Sequence, residues 1–101
     1  MHYYQIAFPG SPLEPLTYHF DRKIDLGRQV NIVVRNRSVR GIIVSYAEKP
    51  VFDTIGIIEV SNFFFTSPQM HFAHFVAQYY FCSLGEALGL FVPFLGGGEK
   101  G

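Results

Sequence analysis

Hydrophobic and polar residues alternate through most of the first sixty positions, and this period of two predicts a series of short β-strands. The first predicted strand covers residues 3–8 and stops at a Pro-Gly pair, which breaks regular structure. The next covers residues 16–20. Because Pro12 and Pro15 precede it, we expect this strand to be short and to lie near an edge of the sheet.

A β-hairpin is predicted in the middle of the chain. Residues 30–34 alternate between aliphatic and polar side chains, which is the pattern of a half-buried strand, and residues 39–46 would form its antiparallel partner. Residues 35–38 form the predicted turn, since Asn36 tolerates the positive φ that tight turns require. A further apolar strand is predicted over residues 54–60.

Helical spacing replaces strand alternation after the last predicted strand. A helix is predicted over residues 67–82, with Ser67 as its N-cap and Pro68 at its first helical position. A second, short helix is predicted over residues 83–90, between two glycines that flank it. The side chains expected to pack the first helix are Phe72, Val76 and Tyr79.

Strands followed by helices define the predicted fold class, which is mainly β (α+β). We expect residues 3–60 to form a small antiparallel barrel-like sheet, followed by the C-terminal helices. A chain of 101 residues makes one domain, which we place at residues 1–95. Residues 96–101 have the glycine-rich composition of a linker, and they would be either a joint to another domain or an artificial tail.

Positive charge is concentrated in one part of the chain although the net charge is zero. Residues 22–40 carry six of the eight basic residues against a single acid, Asp25, which gives this segment about five positive charges. Such a patch can steer a phosphate backbone, whereas ordinary surface turns also carry arginine and lysine. Charge alone favours the ordinary surface. The basic residues are Arg22, Lys23, Arg28, Arg35, Arg37 and Arg40.

Other candidate chemistry is sparse. His71 and His74 have the spacing of two metal ligands, but a closed zinc site needs four ligands, so a solvated helix face is the better interpretation. Cys82 is the only cysteine, so an internal disulfide is excluded and a reducing cytoplasm is the simplest location for the protein. We interpret Cys82 as a small apolar residue of the core. The sequence contains no phosphate-binding G-x-x-x-x-G-K-S/T loop and no apolar run long enough for a membrane span, so we expect neither an ATP-driven motor nor a membrane partner.

The order of the elements is similar to that of one known domain. In residues 76–93 an apolar helix ends in paired tyrosines and is followed by a Cys-Ser-Leu-Gly-Glu-Ala-Leu segment, a second apolar run and a proline. Upstream, residues 26–32 match an "x-G-x-x-V-x-V" strand, residues 41–44 match a "G-x-V-V" strand, and residues 55–60 match the strand before the helix. Over residues 3–93 the chain resembles the N-terminal DNA-binding domain of the bacterial replication-restart helicase PriA.

The resemblance implies a module that captures the 3′ end of a nascent strand at a stalled replication fork. The family pocket uses an "F-D-Y" triplet and a "P-F-G-x-R" turn, of which this chain keeps only Tyr18 and Arg37; a family lysine falls near Ile55. The implied 3′-end pocket comprises Leu16, Thr17, Tyr18, Arg35, Asn36 and Arg37. The residues expected on the DNA backbone are Arg22, Lys23, Arg28 and Arg40.

The implied partners are DNA with a 3′ end or a fork, the downstream helicase domains of the same protein, and other primosome or single-strand-binding proteins. The downstream helicase would use ATP and magnesium, with zinc in its cysteine-rich region, whereas we expect this chain to be non-catalytic and without a cofactor. Two alternatives remain open: a protein-interaction module whose aromatic helix is the docking surface, and a general small barrel for single-stranded nucleic acid. A small enzyme is a distant possibility, since no catalytic set converges.

Overall fold

A computed structural model describes residues 1–90 of the chain, which form six strands and two helices. Residues 91–95 of the predicted domain and the predicted linker at residues 96–101 lie outside the described part. The elements are β1 (His2–Ala7), β2 (Leu16–Phe20), β3 (Arg28–Val34), β4 (Arg37–Ala47), β5 (Ile55–Gly56), β6 (Glu59–Phe64), α1 (Ser67–Tyr80) and α2 (Leu84–Gly89). No helix in this range is both long enough and apolar enough to cross a membrane.

The strands form one curled sheet in the order β5-β2-β1-β4-β3-β6. This confirms the mainly β class, but the sheet is mixed and not purely antiparallel, because β5 runs parallel to β2. The predicted single strand at residues 54–60 is divided between two partners. The Ile57 N–H donates to the carbonyl of His19 on β2 (2.8 Å), and the Ile58 N–H donates to the carbonyl of Asn31 on β3 (2.9 Å). These neighbouring residues tie the two edges of the sheet together and produce its barrel-like curl.

Two hydrophobic clusters lie on the two faces of the sheet. The first fills the inside of the curl and is dominated by β-branched and aromatic side chains, including Tyr4, Ile6, Tyr18, Ile32 and Ile43. The second lies between the outer face and the helices, and includes Ile42, Phe65, Met70, Ala73 and Leu88. Ile42 and Ile43 are neighbours on β4 and belong to different clusters, because successive side chains of a strand point to opposite faces.

The hairpin between β3 and β4 turns more tightly than the sequence predicts. Only Arg35 and Asn36 stand outside the strands, and both have positive φ (52° and 65°), the conformation of a two-residue type I′ turn. The cross-strand pairing already begins at Val34 and Arg37. The twist of a type I′ turn matches the twist of the strands, so the sheet continues to the end of the hairpin.

Helix α1 begins one residue earlier than predicted. Thr66, and not Ser67, is the N-cap: its hydroxyl accepts from the Gln69 N–H, and the Gln69 side chain accepts from the Thr66 N–H, which completes a capping box. The helix ends at Tyr80, and the C-cap residue Phe81 that follows has a φ of 55°.

The packing predicted for α1 is partly wrong. Val76 is buried as expected, but Phe72 and Tyr79 are exposed, and the helix rests on Met70 and Ala73 instead. The buried residues recur every third position and are mostly small, so the helix can approach the sheet closely while its large rings point away from it.

Candidate nucleic-acid interface

Three arginines make the β3–β4 hairpin the most purely basic surface of residues 1–90. Arg35 lies in the turn, Arg37 begins β4, and Arg40 lies further along β4, opposite Asn31; all three are exposed. We call Arg35, Arg37 and Arg40 the arginine hairpin. Polyanions bind such surfaces because several arginines replace the counterions of consecutive phosphates.

The other predicted backbone contacts lie at the opposite end of the barrel. Strand β3 separates Arg28 from the turn, and seven residues of strand span about 20 Å. Arg22 and Lys23 follow β2 at the same end as Arg28, and Lys23 lies with Arg28 around a depression of about 280 Å³. The basic segment seen in the sequence is therefore divided in space into two surfaces.

Acids accompany the basic residues at that second end. Asp25 lines the same depression, and Asp21 lies 3.9 Å from the Arg22 guanidinium. Arg28 is held against the protein, since it donates to the Ser61 carbonyl (3.2 Å) and lies 5.6 Å from the centre of the Phe64 ring. This end of the barrel therefore carries charges of both signs.

Strand directions put the two halves of the predicted 3′-end pocket toward the same side of the sheet, but the register does not bring them together: Leu16 pairs with Ile6 and Ile6 with Ile43, and β4 runs six residues from Ile43 to Arg37 at the turn. β1 and β2 pair antiparallel, as do β1 with β4 and β3 with β4, so β2 starts on the side toward which the β3–β4 turn extends. Leu16 is exposed there. Ile55, at the position of the family lysine, pairs with Tyr18 and is also exposed.

The triplet at the start of β2 does not present a single surface. Tyr18 is only 5% exposed and packs inside the barrel, with its ring edge-to-face to Phe8 at 6.1 Å, and burial raises the pKa of its phenol. Thr17 points to the other face of the strand, where its hydroxyl accepts a hydrogen bond of 2.7 Å from the Gln5 amide. The ring of Tyr18 is therefore not exposed for stacking on a base.

A groove outside the barrel lies against the arginine hairpin. Its volume is about 500 Å³, within the range of small-molecule sites, and no acidic residue of residues 1–90 lines it. Among the lining residues are the three arginines, the half-buried Phe63 and the buried Gln29. We call this cavity the hairpin groove. Sequence reasoning missed Gln29 and Phe63, because a polar residue in an alternating strand normally predicts a side chain in solvent.

A row of rings covers the outer side of α1. Phe72, Phe75, Tyr79, Tyr80 and Phe81 are between 54% and 95% exposed, and we call them the aromatic row. Phe72 stacks on Phe75 at 6.4 Å between ring centres, and Phe75 on Tyr79 at 5.9 Å. Helix α1 contains no Asp, Glu, Lys or Arg. Apolar surface of this kind is typical of a protein contact, and it carries no positive charge for a phosphate.

The two histidines of α1 do not form part of a larger ligand set. His71 and His74 are exposed on the helix, and nowhere in residues 1–90 do three or more His, Cys, Asp or Glu side chains come together as metal ligands. Cys82 is half-buried beside the second cluster.

Comparison with known proteins identifies relatives over most of the chain. The family described as the PriA 3′DNA-binding domain (3′BD) matches residues 5–93. Two curated relatives, both named replication restart protein PriA and both from Helicobacter pylori strains, are 36% and 35% identical over 94 residues. The match covers 93% of this chain but about 15% of each relative.

Proposed function

Because this chain belongs to the family of PriA 3′ DNA-binding domains, we propose that it is a non-catalytic module recognising the 3′ end of a nascent strand at stalled replication forks. The observation that carries the proposal is the arginine hairpin, whose three exposed arginines extend on the side of the sheet where β2 begins. A strand end held by the arginines would reach the mouth of the barrel, where Leu16 and Thr17 are accessible.

Each part of this end has a different role. Arg35 and Arg37 neutralise the last phosphates, and the type I′ turn holds their backbones in one conformation before DNA arrives. Leu16 offers an apolar contact to the terminal sugar or base. The Thr17 hydroxyl can donate to or accept from the terminal 3′-hydroxyl, although it shares its oxygen with the Gln5 amide.

The proposed setting is a longer protein, since the chain spans about 15% of its curated relatives. That protein would be a cytoplasmic ATP-dependent DNA helicase of replication restart, with ATP and magnesium in its downstream domains and zinc in a cysteine-rich region. Its partners would be forked DNA and other primosome or single-strand-binding proteins. The chain itself would supply recognition of DNA and no chemistry.

The test is a titration of fluorescent single strands that differ only at the 3′ terminus. Oligonucleotides that end in a 3′-hydroxyl, that end in a 3′-phosphate, or that are closed into a circle without a 3′ end are compared at one fixed salt concentration. The proposal expects the free 3′-hydroxyl to bind best. Equal affinity for all three would reduce the protein to a general single-strand binder, and the absence of binding would remove the DNA-binding role.

A second candidate function is favoured by the aromatic row, which would dock a protein surface. Here the partner would be another part of the same long protein, and the row would be covered in the full-length molecule. The test mixes this domain with the other domains of the full-length protein, which are purified separately. Phe75→Asp and Tyr79→Asp should abolish co-elution, whereas His74→Asp, on the same helix but outside the row, should leave it intact.

A further inference from the structure

We propose that the hairpin groove is a second recognition site, which binds one unpaired adenine and reads its edge through the side-chain amide of Gln29. This inference rests on the proposed DNA-binding function and adds a base-specific contact to it. The groove lies on the outer face of the sheet and does not include Leu16, Thr17 or Tyr18, so it is distinct from the predicted 3′-end pocket, with which it shares only Arg35 and Arg37.

Gln29 is the residue that points to a ligand. It is 8% exposed and is the buried polar residue of the described core, yet its amide has no hydrogen-bond partner among residues 1–90. No side-chain nitrogen or oxygen in this range is both fully buried and without a partner, so the Gln29 amide reaches the groove that it lines. A buried amide is normally paired, and one that faces a cavity is available to a ligand.

An irregularity in the sheet places Gln29 at the groove. Arg28 pairs with Phe64 and Val30 with Val60, so the register between β3 and β6 slips across Gln29. The residues of β6 opposite this slip are held in a turn, where the Phe63 N–H donates to the Ser61 hydroxyl at 3.1 Å. Bulges of this kind redirect side chains and occur frequently beside binding sites.

The remaining walls fit a nucleotide. The Phe63 ring is half-buried and fixed edge-to-face with Phe65 at 5.3 Å, which leaves a rigid apolar surface for a base. The arginine hairpin borders the same cavity and supplies positive charge for the adjoining phosphates. The groove therefore combines an apolar wall, an uncompensated amide and cations, which are the three elements of base recognition.

If the amide reads the Hoogsteen edge of a purine, adenine fits it better than guanine. Glutamine offers one donor and one acceptor side by side, and adenine presents its 6-amino donor beside a ring-nitrogen acceptor, so the pair forms two hydrogen bonds. The Hoogsteen edge of guanine presents two acceptors and matches only one of the two groups. A good pair of this type changes affinity by about fivefold or more relative to the wrong base.

The experiment compares two strands that differ by one amino group. A thymidine oligonucleotide with a free 3′-hydroxyl carries a single adenine, or in its place a purine that lacks the 6-amino group. The adenine is moved along the strand in separate titrations. Wild type should bind the adenine strand about fivefold more tightly at one position or more, while Gln29→Met, which keeps the size of the side chain, should bind both strands with the lower affinity.

Asn31→Leu is the matched control. Asn31 lies on the same strand, but its amide is already paired with the Glu59 carboxylate at 3.0 Å and does not line the groove. This variant should keep the adenine preference. Equal binding of the two strands by wild type, or a preference that survives in Gln29→Met, overturns the adenine site.

The two proposals fail in different ways. If wild type binds the adenine strand and the strand without the 6-amino group equally, but still prefers a free 3′-hydroxyl, the proposed function stands and the groove inference is wrong. If wild type binds none of the strands, both are wrong. Since the first comparison uses only wild-type protein, the inference can be rejected even if Gln29→Met does not fold.

Discussion

Gln5 and Thr17 face each other across β1 and β2, and the Gln5 amide donates a hydrogen bond of 2.7 Å to the Thr17 hydroxyl. The pair lies on the face of β2 opposite to Tyr18, whose partner Tyr4 lies inside the barrel. Thr17 occupies the middle position of the triplet, where the family resemblance implies an aspartate in many members. The hydroxyl is therefore already engaged by the protein before any DNA binds.

The first prediction concerns this position. Thr17→Asp should raise the preference for a 3′-hydroxyl over a 3′-phosphate by about fivefold, because a carboxylate forms stronger hydrogen bonds to a hydroxyl and repels a phosphate. Thr17→Val, which removes the hydroxyl without adding charge, is the control and should not sharpen the preference. Titrations with the two oligonucleotides at one salt concentration give the ratio. A ratio unchanged in Thr17→Asp would show that residue 17 does not face the terminal nucleotide.

The second prediction is that replacing Tyr18 mainly lowers the stability of the fold. Replacing this buried ring by alanine leaves a cavity, so Tyr18→Ala should lower the free energy of unfolding by about 3 kcal/mol or more. Tyr18→Phe should change it by less than about 1 kcal/mol, since no hydrogen bond of the Tyr18 hydroxyl is found within residues 1–90. Urea unfolding measures both. If Tyr18→Phe folds normally but loses end binding, the hydroxyl does contact DNA and the ring is more accessible than the structure indicates.

The sequence predicts the strands and helices well because their patterns are local. Residues 16–20 emerge as predicted, since prolines limit one end of that strand, and the alternation of residues 30–34 correctly predicts a strand of the central hairpin. The direction of packing on α1 is less predictable. Periodicity marks Phe72 and Tyr79 as apolar, but it cannot show that Ala73 allows a closer approach to the sheet than a ring does.

The candidate site depends on strand order, which the sequence alone does not contain. Six basic residues within one stretch of sequence predict one surface, yet β3 carries Arg28 and the turn about 20 Å apart. Gln29 becomes notable only because the register slips beside it and leaves its amide without a partner. Both features follow from contacts between strands distant in sequence.

The third prediction is a loss of stability at alkaline pH. Burial raises the pKa of Tyr4 and of Tyr18 above the unfolded value of about 10, although the Ile24 N–H donated to the Tyr4 hydroxyl partly opposes the shift. Because the folded state favours the neutral phenols, their contribution is complete below pH 10 and is lost as the pH rises through the folded pKa values. Urea unfolding at pH 8 and pH 11 measures the difference. Tyr18→Phe should make it smaller; an identical pH dependence in this variant would mean that Tyr18 titrates normally.

The last prediction separates the two basic ends of the barrel. Replacing Arg35, Arg37 and Arg40 by glutamine should weaken binding of single strands and lower the slope of log K against log salt by about two, because each phosphate contact on a single strand contributes about 0.7. The matched control replaces Arg22 and Lys23 by glutamine at the opposite end, where Asp21 and Asp25 offset their charge. This control should lower the slope by much less than the loss of two full phosphate contacts would lower it. Glutamine keeps part of each side chain, and the replaced residues are exposed, so both variants should fold like wild type. A larger loss of slope in the control than in the hairpin variant would place the DNA at the other end of the barrel and reject the arginine hairpin as its binding surface.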